Sequence, residues 1–254
     1  MNQDETTKKQ IIMKTINSIK LVFVLLSFLL LSSTIHAQTA EEYYNNGNTK
    51  FHDGDNVGAI ADYNKAIELN PKYGHAYFKR AEIEYKQNDN NAAIADYSKA
   101  IEFEPKLMDA YYGRANAKVK LGDFAGAIPD YNKAIELEPG YEMTYNNRGF
   151  AKQNLNDYAG AIVDFDKVIE LDPTFDKPYN NRGMAKYKLK QYKESIADFD
   201  KAIELNPKNA TAYYNRGFAK YDLNDKEGAC SDWNKAKDLG NSKADDAIKN
   251  YCNN

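Results

Sequence analysis

Apolar residues recur along this chain at helical spacing, and they recur in register. In Gly58–Pro71 (GAIADYNKAIELNP), Ala59, Ile60, Tyr63, Ala66 and Ile67 fall at i, i+1, i+4, i+7 and i+8, which is one face of an α-helix. Alternation at period two, the mark of a strand, fails. The same pattern returns ending at Pro105, Pro139, Pro173 and Pro207, and in a worn copy ending at Asn241, each 34 residues after the last with no insertion. Asp55 stands just before the first copy, and Asp89, Asp123, Asp157 and Asp225 hold the same place, with Gln191 the exception. Such carboxylates predict N-caps, because they accept from backbone N–H groups that a helix start leaves free. The closing proline cannot continue a helix and pushes its predecessor out of helical geometry.

A helix with one apolar face needs a partner, and the front half of each period supplies one. It carries an aromatic column, Tyr43, Tyr77, Tyr111, Tyr145, Tyr179 and Tyr213. Four residues on runs a column of small residues, Gly47, Ala81, Ala115, Gly149, Gly183 and Gly217, which lets a second helix approach closely. Between the two helices stand Gly54, Asn88, Gly122, Asn156, Lys190 and Asn224. Gly and Asn tolerate the left-handed backbone that ends a helix, so Lys190 is the odd member. Pro129 lies past the first turn of its helix and should remove a hydrogen bond and bend it, whereas Pro178 falls in a first turn.

Period, aromatic column, small columns and terminal proline together resemble the tetratricopeptide repeat (TPR), a 34-residue helix–turn–helix unit. The resemblance covers residues 40–241 as units 40–73, 74–107, 108–141, 142–175, 176–209 and 210–243, with 242–254 a capping helix and tail. It implies an all-α, right-handed α-solenoid that binds a protein or peptide on its concave side. The inner wall would then be built from the first helices: Tyr44, Asn48 and Phe51; Phe78 and Tyr85; Tyr112 and Asn116; Asn146 and Phe150; Asn180, Met184 and Tyr187; Tyr214, Phe218 and Tyr221. Aromatics and amides suit peptide recognition, although some of these rings could instead pack between helices. Some members of the family hold a C-terminal carboxylate in a lysine–asparagine clamp. Asn116, Asn147 and Lys177 match parts of it, but Tyr112 and Asn181 stand where basic residues would be, so the clamp is incomplete.

Where most such repeats place an aliphatic residue beside the small one, this chain has Arg80, Arg114, Arg148, Arg182 and Arg216. The second helices carry Asp62, Asp96, Asp130, Asp164, Asp198 and Asp232. Charge near a core needs a partner. The first unit has Asn46 in place of arginine and no preceding neighbour, which favours pairing across the boundary: Arg80–Asp62, Arg114–Asp96, Arg148–Asp130, Arg182–Asp164 and Arg216–Asp198.

The last unit loses its proline, and Ala244, Ala247, Ile248 and Tyr251 then share one helical face, as a cap over the end of the stack should. Cys230 takes the place of an Ile that faces the core in other copies, and Cys252 follows the cap. In an oxidising compartment these two cysteines are expected to form a disulfide, the alternative being two unrelated thiols.

The compartment is read from the N-terminus. Lys14 and Lys20 precede the apolar run Leu21–Leu31, and small and polar residues lead to Ala37. This is the pattern of a secretory signal peptide over residues 1–37, with translation starting at Met13 as a variant reading. The run is short for a membrane span, so no stable span is expected after cleavage, and the location is secreted or periplasmic. Setting aside residues 1–37, with their four lysines and two acids, leaves 30 basic against 35 acidic residues. That balance makes nucleic acid a poor partner. The two remaining histidines, His52 and His75, are not ligand-spaced, and no phosphate-cradling glycine motif occurs, so neither an enzyme nor a cofactor or metal is expected. The expected role is a non-enzymatic scaffold for a protein or peptide. A structural envelope component associating through its convex face or end caps is the alternative.

Overall fold

The computed structural model describes Met13 and residues 38–252, so the expected signal peptide lies, Met13 apart, outside the described residues. Thirteen α-helices and no strand make up the described part. They pair as hairpins: α1 (Ala40–His52) with α2 (Asn56–Leu69), α3 (Gly74–Lys86) with α4 (Asn90–Phe103), and α5 (Met108–Lys120) with α6 (Phe124–Leu137). Then come α7 (Glu142–Asn154) with α8 (Tyr158–Leu171), α9 (Asp176–Lys188) with α10 (Tyr192–Leu205), and α11 (Ala210–Asp222) with α12 (Lys226–Asp238). The short α13 (Ala244–Tyr251) closes the array.

Local chemistry sets these boundaries. The carboxylates of Asp55, Asp89, Asp123, Asp157 and Asp225 each accept from the backbone N–H three residues on, whereas Gln191 makes no such bond. Thr39 and Glu42 form a reciprocal capping box that starts the first helix. All six inter-helix turns pass through positive φ, from 62° to 84°, and at Lys190 a long side chain is held there at 62°. The helix containing Pro129 keeps the fourteen-residue span of α2, α4, α8 and α10.

Within each hairpin the core is filled from the second helix. Tyr63, Tyr97, Tyr131, Phe165, Phe199 and Trp233 are buried, and each reaches across to the first helix. At Gly47 a Cβ would lie 2.6 Å from the Tyr63 ring, so the missing side chain is what admits the ring. The first-helix tyrosines play a lesser part than the sequence suggests. Only Tyr145 and Tyr179 among them are buried, and arginine guanidiniums lie over the rings of Tyr77, Tyr111, Tyr145, Tyr179 and Tyr213 at 5.3–5.9 Å.

Hairpins stack only on their neighbours, each second helix against the next first helix. First helices of adjacent units from α3 onward also approach one another more closely than second helices do. The array therefore curves with the first helices inside.

The arginine ladder differs from the pairing expected from the sequence. Arg80 chelates Asp96, not Asp62; Arg114 takes Asp130, not Asp96; Arg148 takes Asp164, not Asp130; Arg182 takes Asp198, not Asp164; and Arg216 takes Asp232, not Asp198. Each pair is bidentate and lies within one hairpin, with N···O distances of 2.5–3.0 Å. The boundary is crossed by the third guanidinium nitrogen. Arg80 Nη1 donates to Asn64, Arg114 Nη1 to Ser98, Arg148 Nη1 to Asn132, Arg182 Nη1 to Asp166 and Arg216 Nη1 to Asp200. The reason is angular. Two residues turn an α-helix by about 200°, so the aspartate faces its own first helix while the residue two further on faces the next unit.

A lysine column completes the network: Lys118–Asp130, Lys152–Asp164, Lys186–Asp198 and Lys220–Asp232 at 2.7–2.9 Å. In the first unit, which lacks the arginine, Lys50 lies 2.7 Å from Asp62. In the second unit the place of the lysine is taken by Glu84. Its Oε2 is buried with no hydrogen-bond partner among the described residues, and its Oε1 is 4.0 Å from Arg80 Nε. Burial, then the Asp96 carboxylate, push Glu84 up to about 7, with Asp89 adding to the rise and Arg80 opposing it. A carboxyl whose pKa is higher folded than unfolded favours the fold below its unfolded value and loses that advantage as pH rises through the folded value. Stability should therefore fall between about pH 4.5 and 7, by about 1–2 kcal/mol after solvent screening. Glu84→Gln should flatten that slope. Urea midpoints at pH 5 and pH 8 check it, and equal slopes in both proteins would contradict it.

The cap is fastened twice. Ala244 and Ala247 are buried, and Tyr251 stacks among Phe218, Tyr221 and Trp233 at 4.8–6.0 Å. Cys230 and Cys252 form a disulfide, with Cα atoms 5.8 Å apart.

Candidate functional site: the inner wall

The inner wall runs along α1, α3, α5, α7, α9 and α11, and it is not uniform. In the first unit Tyr44 packs against Tyr73 at 5.0 Å, the Tyr63 hydroxyl donates to Asn48, and Phe51 lies beneath the Lys86 ammonium at 4.3 Å. Phe78 is buried against Tyr97, so it serves the core as much as the wall. Tyr85 and Tyr112 are half-buried, and Tyr112 meets Tyr141 edge-on at 5.3 Å. At the far end Tyr214, Phe218 and Tyr221 belong to the cluster that the cap covers. All three are half-buried, and Phe218 and Tyr221 also meet Tyr251 of α13, so these two serve the cap as well as the wall.

The middle of the wall is an amide ladder. Asn147 Nδ2 donates to Asn116 Oδ1 and to Tyr112 Oη, both at 3.0 Å, and Asn116 Oδ1 also accepts from the Tyr131 hydroxyl at 2.7 Å. Asn146 donates to Asn147, Asn181 to Asn146, Asn180 to Asn181 and Asn215 to Asn180, at 3.1–3.4 Å. The ladder crosses three unit boundaries. Phe150, 44% exposed, rises beside it, and Met184 lies half-buried one unit on. Tyr187 donates its hydroxyl to Asp222 at 2.8 Å, which ties the fifth unit to the sixth. The sequence reading missed Asn215, the lysine column and the residues that accept from the third arginine nitrogen. The signal for each was present as a column at the 34-residue period.

Chemically, this surface offers amides, ring edges, the exposed Phe150 and the half-buried Met184. Among the described residues no cluster of His, Cys, Asp and Glu could hold a metal ion, and no helix is long and apolar enough to cross a membrane.

The comparisons agree with this geometry. A model described as "TPR repeat" matches residues 47–88, 81–122 and 183–224, and one described as "Tetratricopeptide repeat" matches 109–141 and 143–175. The chain belongs to the tetratricopeptide repeat family. This TPR protein has no match among curated relatives. Among solved structures it is similar to MamA, at 26% identity and a TM-score of 0.63, over 67% of this chain and 93% of that one. It is also similar to YrrB, described as a TPR protein with an unusual peptide-binding site, at 25% identity and a TM-score of 0.64, over 74% of this chain and 97% of that one. PilF of Pseudomonas aeruginosa shares the fold at 17% identity and a TM-score of 0.67, over 83% of this chain and 96% of that one.

Proposed function

We propose that this TPR protein is a non-enzymatic scaffold outside the cytoplasm that holds an extended segment of a partner protein along the inner wall. The observation that carries the reading is the amide ladder from Asn116 to Asn215 flanked by the exposed Phe150. The ladder is held in place by its own hydrogen bonds, so a bound chain need not pay to order it. The remaining lone pairs and N–H groups of half-exposed amides can meet a peptide backbone, and Phe150 and Met184 offer apolar contact. Location outside the cytoplasm rests on the expected signal peptide and on the single cysteine pair joined as a disulfide.

Asn146→Ala with Phe150→Ala tests it, because neither side chain fills the hairpin cores. Capture from an envelope extract by the double variant should fall at least about tenfold for the protein that wild type retains, with helical content unchanged by circular dichroism. Undiminished capture would place the contact on the outer face or end caps, in line with a structural envelope component.

A further inference from the structure

The second and third hairpins leave a cavity of about 380 Å³ on the inner wall, at the small end of the range for ligand sites. Phe78, Tyr85, Tyr97, Tyr112 and Tyr141 line it, together with Gly113.

Two departures from the repeat create it. Gly113 stands where the following units have Asn147, Asn181 and Asn215. A Cβ there would collide with the tip of the Tyr97 ring and lie 2.8 Å from its hydroxyl oxygen, so the bare glycine lets that tip reach the inner wall. The second departure is Glu82. In neighbouring units the equivalent ring hydroxyls donate to an asparagine, Tyr63 to Asn48 at 2.8 Å and Tyr131 to Asn116 at 2.7 Å. In this unit Glu82 occupies the acceptor's place and is engaged by Lys79 at 2.7 Å. Tyr97, 3% exposed, lines the cavity and has no hydrogen-bond partner for its hydroxyl among the described residues.

Charge narrows the occupant. Lys79 and Glu82 neutralise each other, Lys86 is drawn over the Phe51 ring, and the lining also holds Asp109, one acid against that one base. Neither a cation nor an anion is favoured in such a place. Five rings favour a further ring, which can pack edge-to-face or offset against them. The free hydroxyl favours a ring that carries its own hydrogen-bonding group.

We propose that this cavity seats one tyrosine or tryptophan side chain of the bound segment, hydrogen-bonded to Tyr97. The assignment rests on the scaffold reading above and specifies the chemistry that the groove selects. Gly-Ser nonapeptides with a single central Tyr, Trp, Phe, Leu, Arg or Glu are titrated into the full chain, and the Gly113 amide resonance is followed by NMR. The Tyr and Trp peptides should shift it saturably, with Kd about fivefold below that of the Phe peptide, the worth of one hydrogen bond. Tyr97→Phe should bring Tyr and Trp level with Phe. The substitution is benign to the fold, because Phe165 and Phe199 fill the same place in later units. In Gly113→Asn, followed instead through the Tyr112 amide, the Tyr and Trp peptides should no longer produce a saturable shift. Preference for Arg, Glu or Leu, or a Tyr preference that survives Tyr97→Phe, would overturn the proposal. If no peptide shifts Gly113 while extract capture still depends on Asn146 and Phe150, the cavity assignment fails and the scaffold reading stands. If capture is also indifferent to those two residues, the scaffold reading itself fails.

Discussion

Replacing Asp164 with alanine will destabilise the array by about 3–5 kcal/mol, more than any change at the inner wall. Its side chain is 1% exposed and receives the Nε and Nη2 of Arg148 and the ammonium of Lys152. Alanine would leave both cations in place, largely out of water, with no anion. For a chain of this length the melting temperature should fall by roughly 10 °C. The same substitution at Asp62 provides an internal comparison. Its unit has Asn46 in place of arginine, so only Lys50 loses a partner, and that lysine is 42% exposed. The cost there should be much smaller, because the lysine left without its partner can turn to water. Replacing the trio together, with Arg148→Met, Lys152→Met and Asp164→Leu, should cost little, because well-packed apolar groups of similar size need no counter-charge. Equal losses at Asp62 and Asp164 would show that the ladder has no energetic role beyond surface charge.

Loss of the Cys230–Cys252 bond, by reduction or by the double change to serine, should lower stability by about 3 kcal/mol on the chain-entropy model for a loop of this size. The loss should be local. Hairpins touch only their neighbours, so the stability of the array is close to a sum of unit and interface contributions, and an end can loosen without the middle. Hydrogen exchange should speed up in α11, α12 and α13, and the fluorescence of Trp233, the only tryptophan, should shift to the red as Tyr251 leaves it. Protection of α5 to α8 should be unchanged. A uniform loss of protection along the whole chain would contradict the neighbour-only picture. No change at all on reduction would mean that the aromatic packing holds the cap without the bond.

Each departure from the repeat consensus had a local cause readable in the chain and a consequence that was not. Glu84 breaks a lysine column that is obvious once the units are aligned, but its isolation depends on Asp96, which comes from another helix. Gly113 reads as one more small residue. Only the placement of Tyr97 over it, together with the engagement of Glu82 by Lys79, turns it into a cavity. The aromatics of the sixth unit match the groove pattern as well as any others, and the cap whose Tyr251 packs on Phe218 and Tyr221 is a separate element.

The sequence by itself determined the helices, their caps and turns, the 34-residue unit and the family, because all of these depend on contacts a few residues apart and are repeated six times. The tertiary structure alone decided which aspartate each arginine meets, which wall residues remain open, and where a hydroxyl is left without a partner. Those outcomes depend on the angle at which one helix faces the next, and a repeat period gives spacing along the chain without giving that angle.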